Sequence, residues 1–149
     1  MNVGEASVTP IIRALRGYAD GGTTILDAPP GTACPAVEAL TGADRALLVT
    51  EPTPFGLHDL RLAVDIARQL SLPVCVVINR CDVGDDEVRD YCRQESIDVL
   101  LEIENDRAVA ESYAAGELPW RTVPAFEKLL DARDDTCLWL VDDGSRDGT

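Results

Sequence analysis

Short apolar runs alternate with helix-length amphipathic segments along most of the chain, and this alternation restricts the fold more than any other feature. The apolar runs occupy residues 23–27, 45–50, 74–79 and 99–103. The helix-like segments occupy residues 9–18, 35–40, 55–70, 85–94, 107–115 and 119–132. Strand-like runs separated by helices are typical of a parallel sheet. We therefore predict an α/β fold with a parallel sheet of about four to five strands and helices on both faces.

The length of the chain, 149 residues, suits one domain with a real core. We assign residues 1–133 to this domain and residues 134–149 to a short tail, with one small strand at 137–141 followed by disorder. The first helix has its apolar residues on one face, as does the helix at 55–70, where Leu57, Leu60, Val64 and Ala67 form a stripe.

Acidic residues dominate the charge, since 27 Asp and Glu stand against 13 Lys and Arg and give a net charge of −14. Such a surface repels nucleic-acid backbones and anionic lipids, so we expect neither as a partner. No apolar run approaches the roughly 18 residues of a membrane span, and the N-terminus does not resemble a signal peptide. We expect a cytoplasmic protein. Lys128 is the only lysine, and two explanations of the Arg and Asp bias stay open: a GC-rich genome or adaptation to high salt.

The five cysteines are scattered at positions 34, 75, 81, 92 and 137, without a C-x-x-C pair. His58 is the only histidine. Zinc and iron–sulfur sites need clustered soft ligands, so we expect no such site bound by this chain alone.

Polar residues follow the predicted strands, at the edge where open parallel sheets bind ligands. Asp27 could reach a magnesium ion through water, and Gly31 could bring its backbone amide close to a terminal phosphate. Asn79, followed by Arg80 and Asp82, could bind the edge of a purine. The alternative for each is a polar loop that ends a strand and caps the next helix.

Four stretches together resemble the MinD/Mrp/ParA-type (SIMIBI) P-loop ATPases. They are ILDAPPGTACP at 25–35, VTEPTPFGLHDL at 49–60, VVINR at 76–80 and DRAVAESYAAG at 106–116. The similarity is greatest to the branch with an inserted ferredoxin domain, and it covers about residues 2–130. The run EPTPFGLHD is the most specific of these matches.

The resemblance implies an adenine nucleotide site with ATP and magnesium as cofactors. Asp27 would be the magnesium-side aspartate, acting through water, and would share catalysis with Gly31 in the γ-phosphate switch Pro30–Gly31. Asn79 and Arg80 would face the adenine. Three further residues would line the loop beside the nucleotide: Thr50, Glu51 and Pro52.

Departures from the family pattern limit what this chain can do alone. Members begin with a lysine-bearing phosphate loop, whereas this chain has no lysine before Lys128 and only a turn-like imitation at residues 17–24. The ferredoxin cysteines are missing, and Glu104 stands where relatives usually have proline. The chain thus resembles the C-terminal half of such an ATPase, an incomplete P-loop NTPase fold that lacks the Walker A loop.

Two functions follow as hypotheses. In the first, the chain supplies the switch aspartate and the base-reading loop of an ATPase linked to iron–sulfur or redox chemistry. Another polypeptide would then carry the P-loop, the ferredoxin part, or both; a homo-oligomer is the other arrangement. In the second, the chain is a non-catalytic interaction or regulatory module. In either case we expect no ATP turnover by the chain alone. In relatives the phosphate-loop strand lies beside the strand at 23–27, so the resemblance also implies an unpaired edge there.

Overall fold

The computed structural model describes residues 10–12, 14, 17, 24–28, 31 and 33–117, together with the backbone of 138–141. Within these residues the strands are β1 (Ile25–Ala28), β2 (Arg45–Thr50), β3 (Val74–Asn79), β4 (Asp98–Ile103) and β5 (Leu138–Val141). The helices are α1 (Cys34–Leu40), α2 (Pro54–Gln69), α3 (Glu87–Gln94) and α4 (Arg107–Ala114). Residues 10–12 and 14 are also helical, whereas the helix predicted at 119–132 lies outside the described residues.

All strand pairings in the sheet are parallel, and the strand order is β1-β5-β2-β3-β4. The predicted α/β class with a parallel sheet is therefore confirmed. The final strand lies in the interior of the sheet, where Leu140 is aligned with Asp27 on one side and with Leu47 on the other. One side of β1, expected to be unpaired, is thus paired with β5, and within the described residues the other side forms an edge of the sheet.

Helices α1, α2 and α3 pack on one face of the sheet. Strand residues Ala46, Leu48, Val76 and Ile78 meet the predicted apolar stripe of α2 there, and every residue of that stripe is buried. Burying a leucine or valine side chain contributes about 1.5–3 kcal/mol. The stripe therefore fixes α2 firmly against β2 and β3.

The opposite face of the sheet is also buried, through Leu47, Cys75, Val77 and Leu101. The helix predicted at 119–132 falls outside the described residues, and the prediction of helices on both faces stays a prediction. Among the described helices, none has both the length and the apolar character needed to cross a membrane.

Candidate functional site

The loops that follow β2, β3 and β4 meet at the carboxyl edge of the sheet. Each begins where the buried strand residues end, at Glu51, Arg80 and Glu104. Because neighbouring parallel strands bring equivalent ends together, these loops form one continuous surface.

Thr50 and the first turn of α2 form a compact unit at the end of β2. The buried Thr50 hydroxyl donates to the Gly56 carbonyl at 3.1 Å, and the Thr53 hydroxyl accepts from the Gly56 N–H at 3.0 Å and so caps the helix. A Cβ at Gly56 would collide with the Glu51 carbonyl oxygen. Thr50 therefore uses its hydroxyl to hold the loop in shape.

Pro52 and Gly84 lock the loops after β2 and β3 together. Pro52 is buried, and a Cβ on Gly84 would overlap its carbonyl oxygen. Gly84 also has a φ of +137°, a conformation that side chains rarely adopt. The Asp85 N–H donates to the same carbonyl at 3.4 Å.

Arg80 and Glu51 form an ion pair across the ends of β3 and β2, with Nη1 and Oε1 3.4 Å apart. The Glu51 side chain is 19% exposed and the Arg80 side chain 52%. Arg80 has a φ of +51°, which lies in the left-handed region. This conformation is unfavourable for residues that carry a Cβ. Asn79 directly precedes it, half-buried and paired with Ile103 of β4. The structure thus brings Glu51, Asn79 and Arg80 together.

The loop after β4 is tied to the same surface. The Asp82 carboxylate accepts from the Asn105 N–H at 2.6 Å, which links the loops after β3 and β4. Asp106 caps α4 by accepting from the Ala108 N–H at 2.8 Å. Glu104 is exposed beside them. Asp82 and Asp106 therefore have the structural roles that polar loops commonly have.

Asp27 and Gly31 lie apart from this group. β5 separates β1 from β2, so β1 and β3 are three strand spacings apart, about 14 Å. The exposed Asp27 alternates with Leu26 and Ala28, so it lies on the sheet face opposite α1. Gly31 has a φ of +86° and open space around it, and Pro30 lies outside the described residues.

The four described cysteines form no disulfide with one another. Cys34 is exposed on α1, whereas Cys75 and Cys92 are buried. Burial raises the pKa of Cys75, and it raises the pKa of Cys92 to about 11. In the described part of the chain, no group of three or more His, Cys, Asp or Glu residues could hold a metal ion.

Magnesium–ATP fits the described residues only in part. A carboxylate such as Asp27 is a ligand type that magnesium prefers, directly or through water, and Gly31 leaves room for a phosphate oxygen. The base side also fits, because Asn79 and Arg80 are adjacent at the carboxyl end of β3. However, the exposed arginines at this surface, Arg80 and Arg107, are paired with Glu51 and Glu111. The described residues therefore fit the base and the metal better than the phosphates.

Sequence reasoning missed three residues that shape this surface: Gly56, Gly84 and Arg89. A glycine inside the first turn of a predicted helix is a recognisable signal of close packing, and Gly56 carries it. Gly84 contacts Pro52, and Arg89 binds Cys81 and Glu102 as well as the nearby Asp86, so no local pattern identifies these sets of contacts.

Two curated relatives match the chain, both from Methanocaldococcus jannaschii and both named as uncharacterized proteins. The chain is 32% identical to MJ0579 over 146 residues, which is 94% of this chain and 48% of the relative. It is 26% identical to MJ0578 over 83 residues, 54% of this chain and 30% of that relative. The chain therefore spans about half the length of MJ0579. No protein-family model and no solved structure matches.

Proposed function

We propose that this chain contributes the switch aspartate and the base-binding loop of a MinD-like nucleotide site, and that the lysine-bearing phosphate loop belongs to another polypeptide. The observation that supports it best is the convergence of Glu51, Asn79 and Arg80 at the ends of two adjacent strands. These are residues that the family resemblance assigns to the nucleotide. Arg80 holds a costly backbone conformation there, and such strain is concentrated at functional sites.

The Asn79 side chain supplies both an amide donor and an amide acceptor, which is the combination that an adenine edge requires. The Arg80 guanidinium is planar and can stack on a base, with Glu51 holding one side of it. Thr50 and Pro52 give this loop its shape from beneath. The base side of the site thus consists of this chain's own residues.

Asp27 would hold magnesium through water, and Gly31, with the adjacent Pro30, would offer its amide to the terminal phosphate. The metal would supply charge neutralisation of the phosphate oxygens when bound. Neither residue brings positive charge, and phosphoryl transfer depends on such charge. We therefore propose that the chain alone is inactive, and that a lysine-loop polypeptide or an oligomeric arrangement completes the site in the cytoplasm.

A non-catalytic interaction or regulatory module is the second candidate. It is favoured by the engagement of Thr50 and Arg80 in contacts within the fold, which leaves less of each for a ligand. It requires neither nucleotide turnover nor iron–sulfur chemistry in a partner.

Phosphate release under steady-state conditions separates the candidates. The purified chain is given magnesium–ATP, alone and together with a polypeptide that carries a lysine-bearing phosphate loop. Asp27→Ala is the test variant. Asp44→Ala is the matched control. Asp44 is an exposed aspartate that precedes β2, so it lies at the amino end of that strand and away from the candidate site.

We expect no turnover by the chain alone, and activity with the second polypeptide that Asp27→Ala removes and Asp44→Ala keeps. Turnover by the chain alone of about one per minute, abolished by Asp27→Ala, would mean that this chain has a phosphate site of its own. Absence of phosphate release in every combination would favour the interaction module.

A further inference from the structure

Arg89 of α3 is bound by three separate parts of the molecule. Its Nε lies 3.1 Å and 3.2 Å from the two carboxylate oxygens of Glu102 on β4, and its Nη2 lies 2.7 Å from one of them. Its Nη1 donates to Asp86 at 2.8 Å, and its Nη2 also donates to the Cys81 carbonyl at 2.8 Å. The guanidinium thus connects a helix, a strand and a loop.

The Cys81 carbonyl belongs to the loop that begins with Arg80. The Cys81 N–H donates to the Ile103 carbonyl at 2.9 Å, so Arg89 and β4 together fix both peptide groups of this residue. The turn that contains Cys81 is closed by a further bond, in which the Val83 N–H donates to the Arg80 carbonyl at 2.9 Å. The residues on the C-terminal side of Arg80, whose own backbone is left-handed, are thus held by hydrogen bonds.

We propose that Arg89 is a positioning residue for the nucleobase: by holding the Cys81 carbonyl, it sets the orientation of Asn79 and Arg80. This inference rests on the proposed function, because it assigns a role within the same site. Arg89 itself lies behind the loop, where its side chain is 25% exposed, and its bonds go to groups of the protein.

Arg93 offers a matched control on the same helix. Its described bond goes to Asp90, with Nη1 and Oδ1 2.7 Å apart, and its side chain is 76% exposed. A pair this exposed contributes little to stability. Both arginines carry the same charge on the same helix, so effects of charge or helix position should be common to both. Only Arg89 binds the Cys81 carbonyl in the described contacts.

The test compares Arg89→Lys with Arg93→Lys. Both variants keep the net charge, so long-range attraction for a ligand is unchanged. A lysine ammonium can still pair with Glu102, but it lacks the planar fork that reaches Glu102, Asp86 and Cys81 at once. Two quantities are measured on the full chain: amide hydrogen exchange at Cys81 and Val83 without ligand, and the dissociation constants of adenosine and guanosine by NMR titration.

For Arg89→Lys we expect exchange at both amides to accelerate by about tenfold or more and adenosine affinity to weaken by about tenfold. We also expect its preference for adenosine over guanosine to diminish, which a general loss of stability would not cause. Arg93→Lys should match the unmodified chain in all of these. If Arg89→Lys unfolds below the assay temperature, Glu102→Gln replaces it in the test. Glu102→Gln weakens the same ion pair and keeps the arginine, so we expect the same changes at smaller size.

The two proposals fail in different ways. Unchanged exchange and unchanged nucleoside preference in Arg89→Lys, with adenosine bound by the unmodified chain, would overturn the role of Arg89 alone. If the unmodified chain binds neither nucleoside, the proposed function fails, and this role of Arg89 fails with it.

Discussion

Gly84 shows at the scale of a single residue how the loops of the candidate site are held in register. Its missing side chain lets the loop after β3 close on the Pro52 carbonyl, and its positive φ gives that loop its direction. Any side chain at position 84 is therefore expected to strain this loop.

We predict that Gly84→Ala costs more than about 2 kcal/mol of unfolding free energy, because the backbone strain is joined by a collision with backbone atoms. Gly116→Ala is the control. Gly116 also has a positive φ, +74°, but open space around it, so its substitution should cost only about 1 kcal/mol. Urea denaturation of both variants measures the difference, and equal losses would mean that the contact with Pro52 does not constrain the loop.

The buried thiol of Cys92 makes a second prediction at this scale, concerning pH. Burial raises its pKa from 9.0 to about 11, so the folded chain holds this proton more tightly than the unfolded chain does. Its contribution to stability is therefore complete below about pH 9 and is lost as the pH rises toward 11, by about 2 kcal/mol. Burial likewise raises the pKa values of Cys75 and Tyr91, which act in the same direction.

Thermal melts between pH 8 and 11 check this, with Cys92→Ala as the comparison. The variant should be less stable near neutral pH, and its midpoint should fall less steeply as the pH rises. Parallel curves for the two proteins would show that Cys92 does not titrate with folding.

At the scale of elements, the position of β5 governs the integrity of the sheet. β1 and β2 are consecutive along the chain, but β5 pairs with both and lies between them. Without β5, β1 would lose its described hydrogen-bonding partner, and Ile25, already 63% exposed, would lie on an isolated strand. Within the described residues, β1 is therefore held in the sheet by its pairing with β5.

We predict that a chain ending at residue 133 releases β1, whereas a chain ending at residue 143 keeps it. Hydrogen exchange at Leu26 and Asp27 should be fast in the first and slow in the second, since only the second retains the ladder with β5. The shorter chain should also associate in size-exclusion chromatography, because unpaired strand edges attract one another. Slow exchange in both chains would show that β5 is dispensable.

At the scale of the whole molecule, charge opposes folding. A net charge of −14 on 149 residues produces self-repulsion that salt screens. Salt also weakens the surface ion pairs, and this effect lowers stability. It is small, because exposed pairs such as Arg107–Glu111 contribute only about 0–1 kcal/mol each.

Stability should accordingly increase with ionic strength. Thermal melts from low to molar potassium chloride provide the measurement, and sodium chloride at equal concentrations serves as a control for ion-specific effects. A midpoint that stays flat or falls would contradict adaptation to high salt, and genome composition would then explain the Arg and Asp bias.

Local sequence patterns predicted much of the fold. The stripe from Leu57 to Ala67 predicted α2 correctly because its spacing records one buried helix face. The place of β5 could not be predicted, because an apolar run indicates a strand without indicating its neighbours. At the site, the sequence placed Asn79 and Arg80 at a strand end, but the pairing of Arg80 with Glu51 depends on tertiary structure, and so do the partners of Gly84 and Arg89.

We propose that this chain contributes the base side of a nucleotide site and lacks the positive charge that the phosphate side requires. The most direct test is the ratio of two dissociation constants, for neutral adenosine and for magnesium–ATP, measured by NMR titration of the chain alone at low and high salt. We predict that adenosine binds more tightly than magnesium–ATP, with shifts at Glu51, Asn79 and Arg80, because the triphosphate adds repulsion from the acidic surface and the proposed site gives it no positively charged contact. Salt should narrow the difference by screening that repulsion. Tighter binding of ATP than of adenosine would contradict the account, since it would require a phosphate site within this chain.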